Sequence, residues 1–257
     1  MSKQSSLFPM IIIGILFFIF GFVTWLNGSL IPFLKVICEL SEFEALFVTF
    51  AFYIAYTFMA LPMAYVLERT GYKDGMALGL GVMVVGSLLF IPAAQSAEYI
   101  LFLIALFTLG TGLTILQTAS NPYVVLIGPI ESAAMRISIM GLINKTAGVL
   151  VPLIFSALIL SDMPILSSDT LSKVQIDELA SRLVTPYIIM AIVLSGLIAL
   201  VKYSSIPELE FEESESSSDS IFAHPRLILG AVALFFYVEK ESISSSGTRA
   251  RREGIRY

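Results

Sequence analysis

The sequence predicts an all-α membrane protein, a six-transmembrane-helix N-terminal bundle followed by a truncated seventh helix. Two observations carry that expectation. Six apolar stretches, near residues 10–33, 44–67, 76–95, 99–126, 137–160 and 185–203, each approach or exceed the ~20 mostly apolar residues that a helix needs to cross a bilayer core. Hydrophobic residues make up 57% of the chain and charged ones only 14%, against roughly 25% charged in soluble domains. Most of the surface is therefore built to face lipid or neighbouring helices.

The first stretch has the charge-then-apolar order of a signal peptide, but it runs on to about Leu34 without a small-residue cleavage site. It reads as a retained first helix. Connections on one side fall at 35–43, 95–98 and 161–184; on the other side they fall at 68–75, 128–136 and 207–220. Within the longest, Ser168 to Leu183 shows weak helical periodicity through Leu171, Val174, Leu179 and Leu183 behind a Ser168 or Asp169 cap. That segment reads equally as a short interfacial helix or a solvated loop.

The bundle occupies residues 1–206, and an acidic, serine-rich linker follows at 207–224. Its run PELEFEESESSSDS is disordered by composition. The seventh apolar segment, 225–238, reaches only from Arg226 to Val238, too short to cross alone. The polar tail 239–257, EKESISSSGTRARREGIRY, has no apolar face and looks foreign to what precedes it. It reads as a frameshift or premature end, with a re-entrant or surface helix and a basic tail as the alternative, because an interrupted span leaves backbone groups unsatisfied.

Lysine and arginine resist translocation, so their distribution orients the chain. Lys3, Arg69, Lys73, Arg136 and Lys202 fall on one side, and Lys35, Lys173 and Arg182 on the other. This places the N-terminus in the cytoplasm. Net charge is -5, but the acidic excess sits mostly between Glu208 and Asp219, and no basic patch points to nucleic acid. The single cysteine, Cys38, forms no internal disulfide. The single histidine, His224, with no His/Cys cluster, excludes an ordinary metal site and gives no dyad for an intramembrane enzyme.

Lys145 is the one charge set deep in a span, and a lysine at a helix centre costs about 2.5–3.5 kcal/mol on insertion scales. It reads as a buried cation lining an aqueous cavity. Polar residues on other spans agree with a cavity: Thr24, Asn27 and Gly28 on the first, Tyr53, Tyr56 and Thr57 on the second. Thr114, Gln117 and Asn121 recur at i, i+3 and i+7 on the fourth, and Gly141, Asn144, Lys145 and Gly148 mark the fifth. Amides bind hydroxyls as donors and as acceptors, which suits a neutral polyol. Any one of these side chains serves equally well as glue between helices, but four polar-faced helices favour a pathway. Asn121-Pro122 adds a freed backbone carbonyl near Gln117, and Gly75 with Gly79 allows close helix packing.

Two sets of residues then carry a family resemblance. AYVLERTGYK, Ala64 to Lys73, resembles the G-x-x-x-D-R-x-G-R-K loop signature of the major facilitator superfamily, with Ala64, Glu68 and Tyr72 as departures. TWLNGSLIPFLK (Thr24 to Lys35), QTASNPYVVLIGPIESAAMR (Gln117 to Arg136) and INKTAG (Ile143 to Gly148) resemble the fucose permease and glucose/galactose permease branch. The resemblance covers residues 8 to about 238 and implies the N-terminal half of a twelve-helix protein. It implies a proton- or sodium-coupled sugar symporter of the bacterial inner membrane, multi-pass and without a cofactor. Its partners would be a small-molecule sugar such as glucose, galactose, fucose or N-acetylglucosamine, the lipid bilayer, and a separate C-terminal half. A non-transporting fragment, or a carrier of another small polar solute, is the alternative.

Carried over by that resemblance, Asn27, Gln117 and Asn144 fall on pathway positions, joined by Tyr53 and Asn121 as sugar-binding candidates. Lys145 is the cavity charge, and Glu68, Arg69, Gly71 and Lys73 form the cytoplasmic gate. Gln117 stands where fucose permeases have a glutamate, and Gly28 where they have an aspartate thought to take the coupling proton. Both substitutions remove a carboxylate, which directs attention to sodium coupling or to Lys145.

Overall fold

A computed structural model describes residues 7–159, 173–204, 206–207, 229–230 and 233. The chain divides into two compact units, Met1–Phe211 and Glu212–Tyr257. In the first lie α1 (Leu7–Ile37), α2 (Glu42–Ser96), α3 (Tyr99–Leu126), α4 (Ala133–Ile159) and α5 (Lys173–Tyr203), with a 3-10 turn at Ile130–Ser132. In the second, Leu229, Gly230 and Ala233 are helical. The expected linker, the rest of the seventh segment and the polar tail lie outside the described residues.

All five helices are long and apolar enough to cross a membrane, so the six expected stretches map onto five helices. The difference lies in α2. Its 55 residues would extend about 80 Å if straight, far beyond a hydrocarbon core of about 30 Å. Gly71 breaks it, at φ 76° and ψ 174°, a conformation open to glycine because it has no Cβ. The two arms fold back on each other. Cys38 Sγ lies 3.5 Å from the Ala97 carbonyl oxygen, and the Tyr99 hydroxyl donates to Glu44 O at 2.8 Å, so both ends of α2 meet at one end of the bundle. The expected turn at 68–75 has contracted to a single non-helical residue.

Two other boundaries also move. Helix α4 begins at Ala133, ahead of the expected entry at 137. The segment read as a short interfacial helix or loop is, from Lys173 onward, the start of α5, and Leu179 and Leu183 are fully buried there. Their burial makes the helix continuous, because weak periodicity in an isolated segment became one packed face of a longer element.

Helix α2 packs mainly on α3 and α5, and α1 packs on α4. Small residues set the spacing between α2 and α3. A Cβ built on Gly79 would lie 2.7 Å from Leu116 N and 2.8 Å from Gly112 O. On the other arm, a Cβ on Gly110 would strike the carbonyl of Phe52. The core that fills behind these contacts includes Phe20, Phe52, Phe90, Phe102 and Tyr187, with the rings of Phe90 and Tyr187 stacked at 3.7 Å. Such contacts drive association where lipid tails offer no hydrophobic contrast.

The two ends of the bundle carry different chemistry. At one end Ser41 and Glu44 close a capping box over the start of α2, beside the Lys35–Glu42 ion pair. At the other, Lys73 Nζ donates to Ser204 O at 2.9 Å, Lys202 lies 3.9 Å from Asp74, and the Tyr123 hydroxyl donates to Pro207 O at 2.8 Å. Arg136 lies at this second end, so four of the five cations expected on one side, Arg69, Lys73, Arg136 and Lys202, gather there.

Gly79→Ala should destabilise the bundle by about 1–3 kcal/mol through backbone overpacking, while Gly81→Ala, where nothing lies within 4 Å, should be neutral or slightly stabilising. Thermal melts of the two variants in one detergent decide this; equal melting points would discount the close approach. Cys38 offers a second check. Half-burial, with Glu98 adding to it, pushes its thiol up to about 11, so at neutral pH almost none is thiolate, the form that reacts. Maleimide labelling of the folded protein should therefore rise about tenfold per pH unit from 7 to 10, and the unfolded chain should label much faster at pH 7.

Candidate functional site

Three helices meet through polar side chains. The Tyr56 hydroxyl on the first arm of α2 stands beside the side chains of Thr24 on α1 and Gln117 on α3. Tyr53 stands beside Tyr56, ring centroids 6.1 Å apart, and remains 46% exposed. Of the two tyrosines, it is Tyr56 that joins Gln117. Thr114, expected to share the pathway face, is instead buried, its hydroxyl donating to Gly110 O at 2.8 Å.

The remaining candidates separate into three situations. Asn144 Nδ2 donates to Phe17 O at 3.1 Å, tying α4 to α1. Asn121 is exposed, one residue before Pro122. Asn27 is 4% exposed, and its Oδ1 has no hydrogen-bond partner among the described residues. A buried acceptor without a donor costs about 1–3 kcal/mol, which makes this oxygen the bundle's strongest claim on a hydroxyl from water or solute.

Lys145 departs from its expected burial. It is exposed on α4, with Nζ 6.0 Å from the centre of the Trp25 ring. The negative quadrupole of an aromatic face is one favourable companion for the ammonium. A separate cavity of about 270 Å³ between α1, α4 and α5 is walled by apolar side chains such as Phe22, Leu26, Phe155 and Met190, and has nothing to offer a hydroxyl.

At the turn end, the residues of the loop signature act individually. The Arg69 guanidinium hydrogen-bonds the Tyr65 hydroxyl and lies 4.4 Å from the centre of its ring. Glu68 is exposed, Gly71 supplies the break, and Lys73 caps the last turn of α5. Tyr72 is buried 6.1 Å from the ring of Tyr123.

Arg136 was visible in the sequence only as a cytoplasmic cation, yet it is 6% exposed. Its Nε donates to Val124 O at 2.8 Å and Nη2 to Val125 O at 2.8 Å and Gly128 O at 3.2 Å. Nη1 donates to Pro129 O at 3.0 Å and Ser132 Oγ at 2.5 Å. The rigid fork of donors fits the unsatisfied carbonyls at the end of α3, where the helix dipole also favours a cation. No local sequence signal marks this, because the partners are backbone oxygens.

Among the described residues, long apolar helices that share polar side chains define an integral membrane helical bundle. The chain belongs to the Major Facilitator Superfamily, whose family model matches residues 13–239. It is 37% identical over 243 residues to a glucose/galactose transporter of Brucella abortus, covering 93% of this chain and 57% of that one. It is 29% identical over 228 residues to the L-fucose-proton symporter of Escherichia coli, covering 86% and 52%. A crystal structure of a variant of the E. coli fucose:proton symporter, FucP, superposes with a TM-score of 0.68 at 29% identity, covering 90% of this chain and 56% of that one. The chain thus spans about half the length of the curated relatives it matches.

Arg136→Lys should not replace the arginine, since a single ammonium cannot serve oxygens on both sides of the turn. Both Arg136→Lys and Arg136→Ala are expected to lower the melting temperature and to speed proteolysis at 126–132. Protection equal to the parent in Arg136→Lys would show that charge alone suffices.

Proposed function

We propose that this chain supplies the N-terminal bundle of a cation-coupled sugar symporter of the bacterial inner membrane, with its N-terminus in the cytoplasm. The solute is a hexose such as glucose, galactose, fucose or N-acetylglucosamine, and the coupling ion is a proton or sodium. The observation that carries this reading is the Thr24–Tyr56–Gln117 contact, in a chain similar to proteins named for glucose/galactose transport and fucose-proton symport. Hydroxyl, phenol and amide groups exchange donor and acceptor roles readily, so a sugar hydroxyl can replace one partner without leaving a charge behind. Asn27 Oδ1 supplies a buried acceptor in the same region of α1.

Gly28 has open space around it, with nothing within 4 Å of a built Cβ. It therefore leaves room in the pathway where fucose permeases place a carboxylate, and Gln117 is neutral where they place another. This favours a coupling route through sodium or through Lys145. Glu68, Arg69, Gly71 and Lys73 form the cytoplasmic gate in this reading.

Alternating access rocks two bundles around a shared midplane site. These residues make one bundle, so accumulation of sugar requires a second, supplied in continuation or as a separate chain. Joined to the C-terminal half of the Brucella abortus relative and placed in proteoliposomes, the chain should take up labelled hexose under an imposed proton or sodium gradient. Gln117→Ala and Asn144→Ala should each reduce uptake by about tenfold, the scale of one or two lost hydrogen bonds, at unchanged protein level. Lys145→Met should also alter ion dependence. Saturable uptake by the chain alone would overturn the one-bundle reading, and parental uptake in all three variants would reduce the polar faces to helix packing.

A further inference from the structure

Trp25 is the chain's single tryptophan, and it stands at an uncommon depth. It lies 12 residues before the end of α1 at Ile37, about 18 Å along the helix, whereas membrane tryptophans concentrate at the two interfaces. A tryptophan in the middle of a span, 44% exposed, needs a physical reason.

Its surroundings supply one. A Cβ built on Gly148 of α4 would lie 2.5 Å from the indole Nε1, 2.7 Å from Cδ1 and 2.7 Å from Cε2, and these are its three nearest atoms. Near-equal distances to three atoms of one ring mean that a face of the indole, not an edge, covers the glycine. One face is therefore seated against α4, and the exposure belongs to the rest of the ring. Gly28, one turn along α1, and Gly141, on the same strip of α4 as Lys145 and Gly148, both have open space where a side chain would project. The Lys145 ammonium lies beside the ring at 6.0 Å.

The geometry points to Trp25 as a stacking platform for the apolar face of a pyranose ring, with Gly148 seating the indole and Lys145 donating to the sugar's hydroxyls. This rests on the sugar-carrier reading above and names its binding surface. The C–H face of a pyranose presents weakly positive hydrogens to the negative face of the indole. An ammonium offers three donors and no acceptor, so it reaches hydroxyl oxygens at the rim of a stacked ring. A platform of this kind selects for a closed ring: a linear polyol has the same hydroxyls but no flat apolar face.

The single tryptophan makes the test direct. This chain is placed in lipid nanodiscs, labelled glucose and galactose are measured by equilibrium dialysis, and Trp25 emission and acrylamide quenching are followed in parallel. Sugar should shift the emission saturably and protect the indole, and mannitol should do neither. Trp25→Phe should bind within about threefold of the parent. Trp25→Leu and Gly148→Ala should each weaken binding by roughly tenfold, equivalent to about 1.4 kcal/mol. If labelled sugar binds Trp25→Leu as it binds the parent, the platform is refuted while the sugar-carrier reading stands. Binding of no hexose by this chain refutes the platform, while uptake by the protein joined to a C-terminal half decides the sugar-carrier reading separately. Strong quenching of Trp25 by brominated acyl chains, unrelieved by sugar, would assign the ring to lipid and refute the platform.

Discussion

The governing constraint is the absence of water in the hydrocarbon core, which obliges every backbone donor and acceptor there to find a partner within the protein. The consequences run through the whole bundle. Small hydroxyl side chains turn back on their own helices: Ser87 donates to Met83 O, Thr118 to Thr114 O and Ser120 to Leu116 O. Among the described residues, departures from helix are brief and sit at the ends, over residues 38–41, at Gly71, around Ala97 and over residues 127–132. Arg136 holds the last of these, with five hydrogen bonds to the end of α3 and its following turn.

That constraint also divides the labour among helices. Helices α2, α3 and α5 form the well-filled part, spaced by glycines and stacked rings. Helix α1 couples chiefly to α4, and their contact is unusually polar at its centre: the Asn144 amide donates to Phe17 O while the Asn144 carbonyl faces Gly21. The same stretch of α4 carries Lys145 and Gly148. Asn144 is thus an interhelical bond and, in the proposed reading, a pathway residue as well.

Electrostatics sets this chain apart from the proton-coupled pattern it resembles. Gln117 and Gly28 leave the α1–α3 region without a carboxylate, and Lys145 contributes a cation on α4. The contact among Thr24, Tyr56 and Gln117 is neutral, so in the proposed reading a sugar hydroxyl enters it with no buried charge exposed. In the proposed symport, a coupling ion would act through oxygens such as Asn27 Oδ1 or through the lysine, and the two routes differ in sign of charge.

Length and composition alone determined that this chain is a helical membrane protein, because a span of about 20 apolar residues has few other uses. The polar spacings on the first, second, fourth and fifth stretches were also legible, since i, i+3, i+4 and i+7 relations are local geometry. Tertiary structure decided the rest. It merged the second and third stretches into one hairpin, since only the backbone angles at Gly71 show how short that turn is. It chose Tyr56 over Tyr53 as the partner of Gln117, moved Thr114 into the core and brought Lys145 to the surface. It also buried Arg136 and set Trp25 against Gly148. Each of these depends on which helix lies opposite and at what distance. That information resides in contacts between residues far apart in the chain, so it has no local sequence pattern to reveal it.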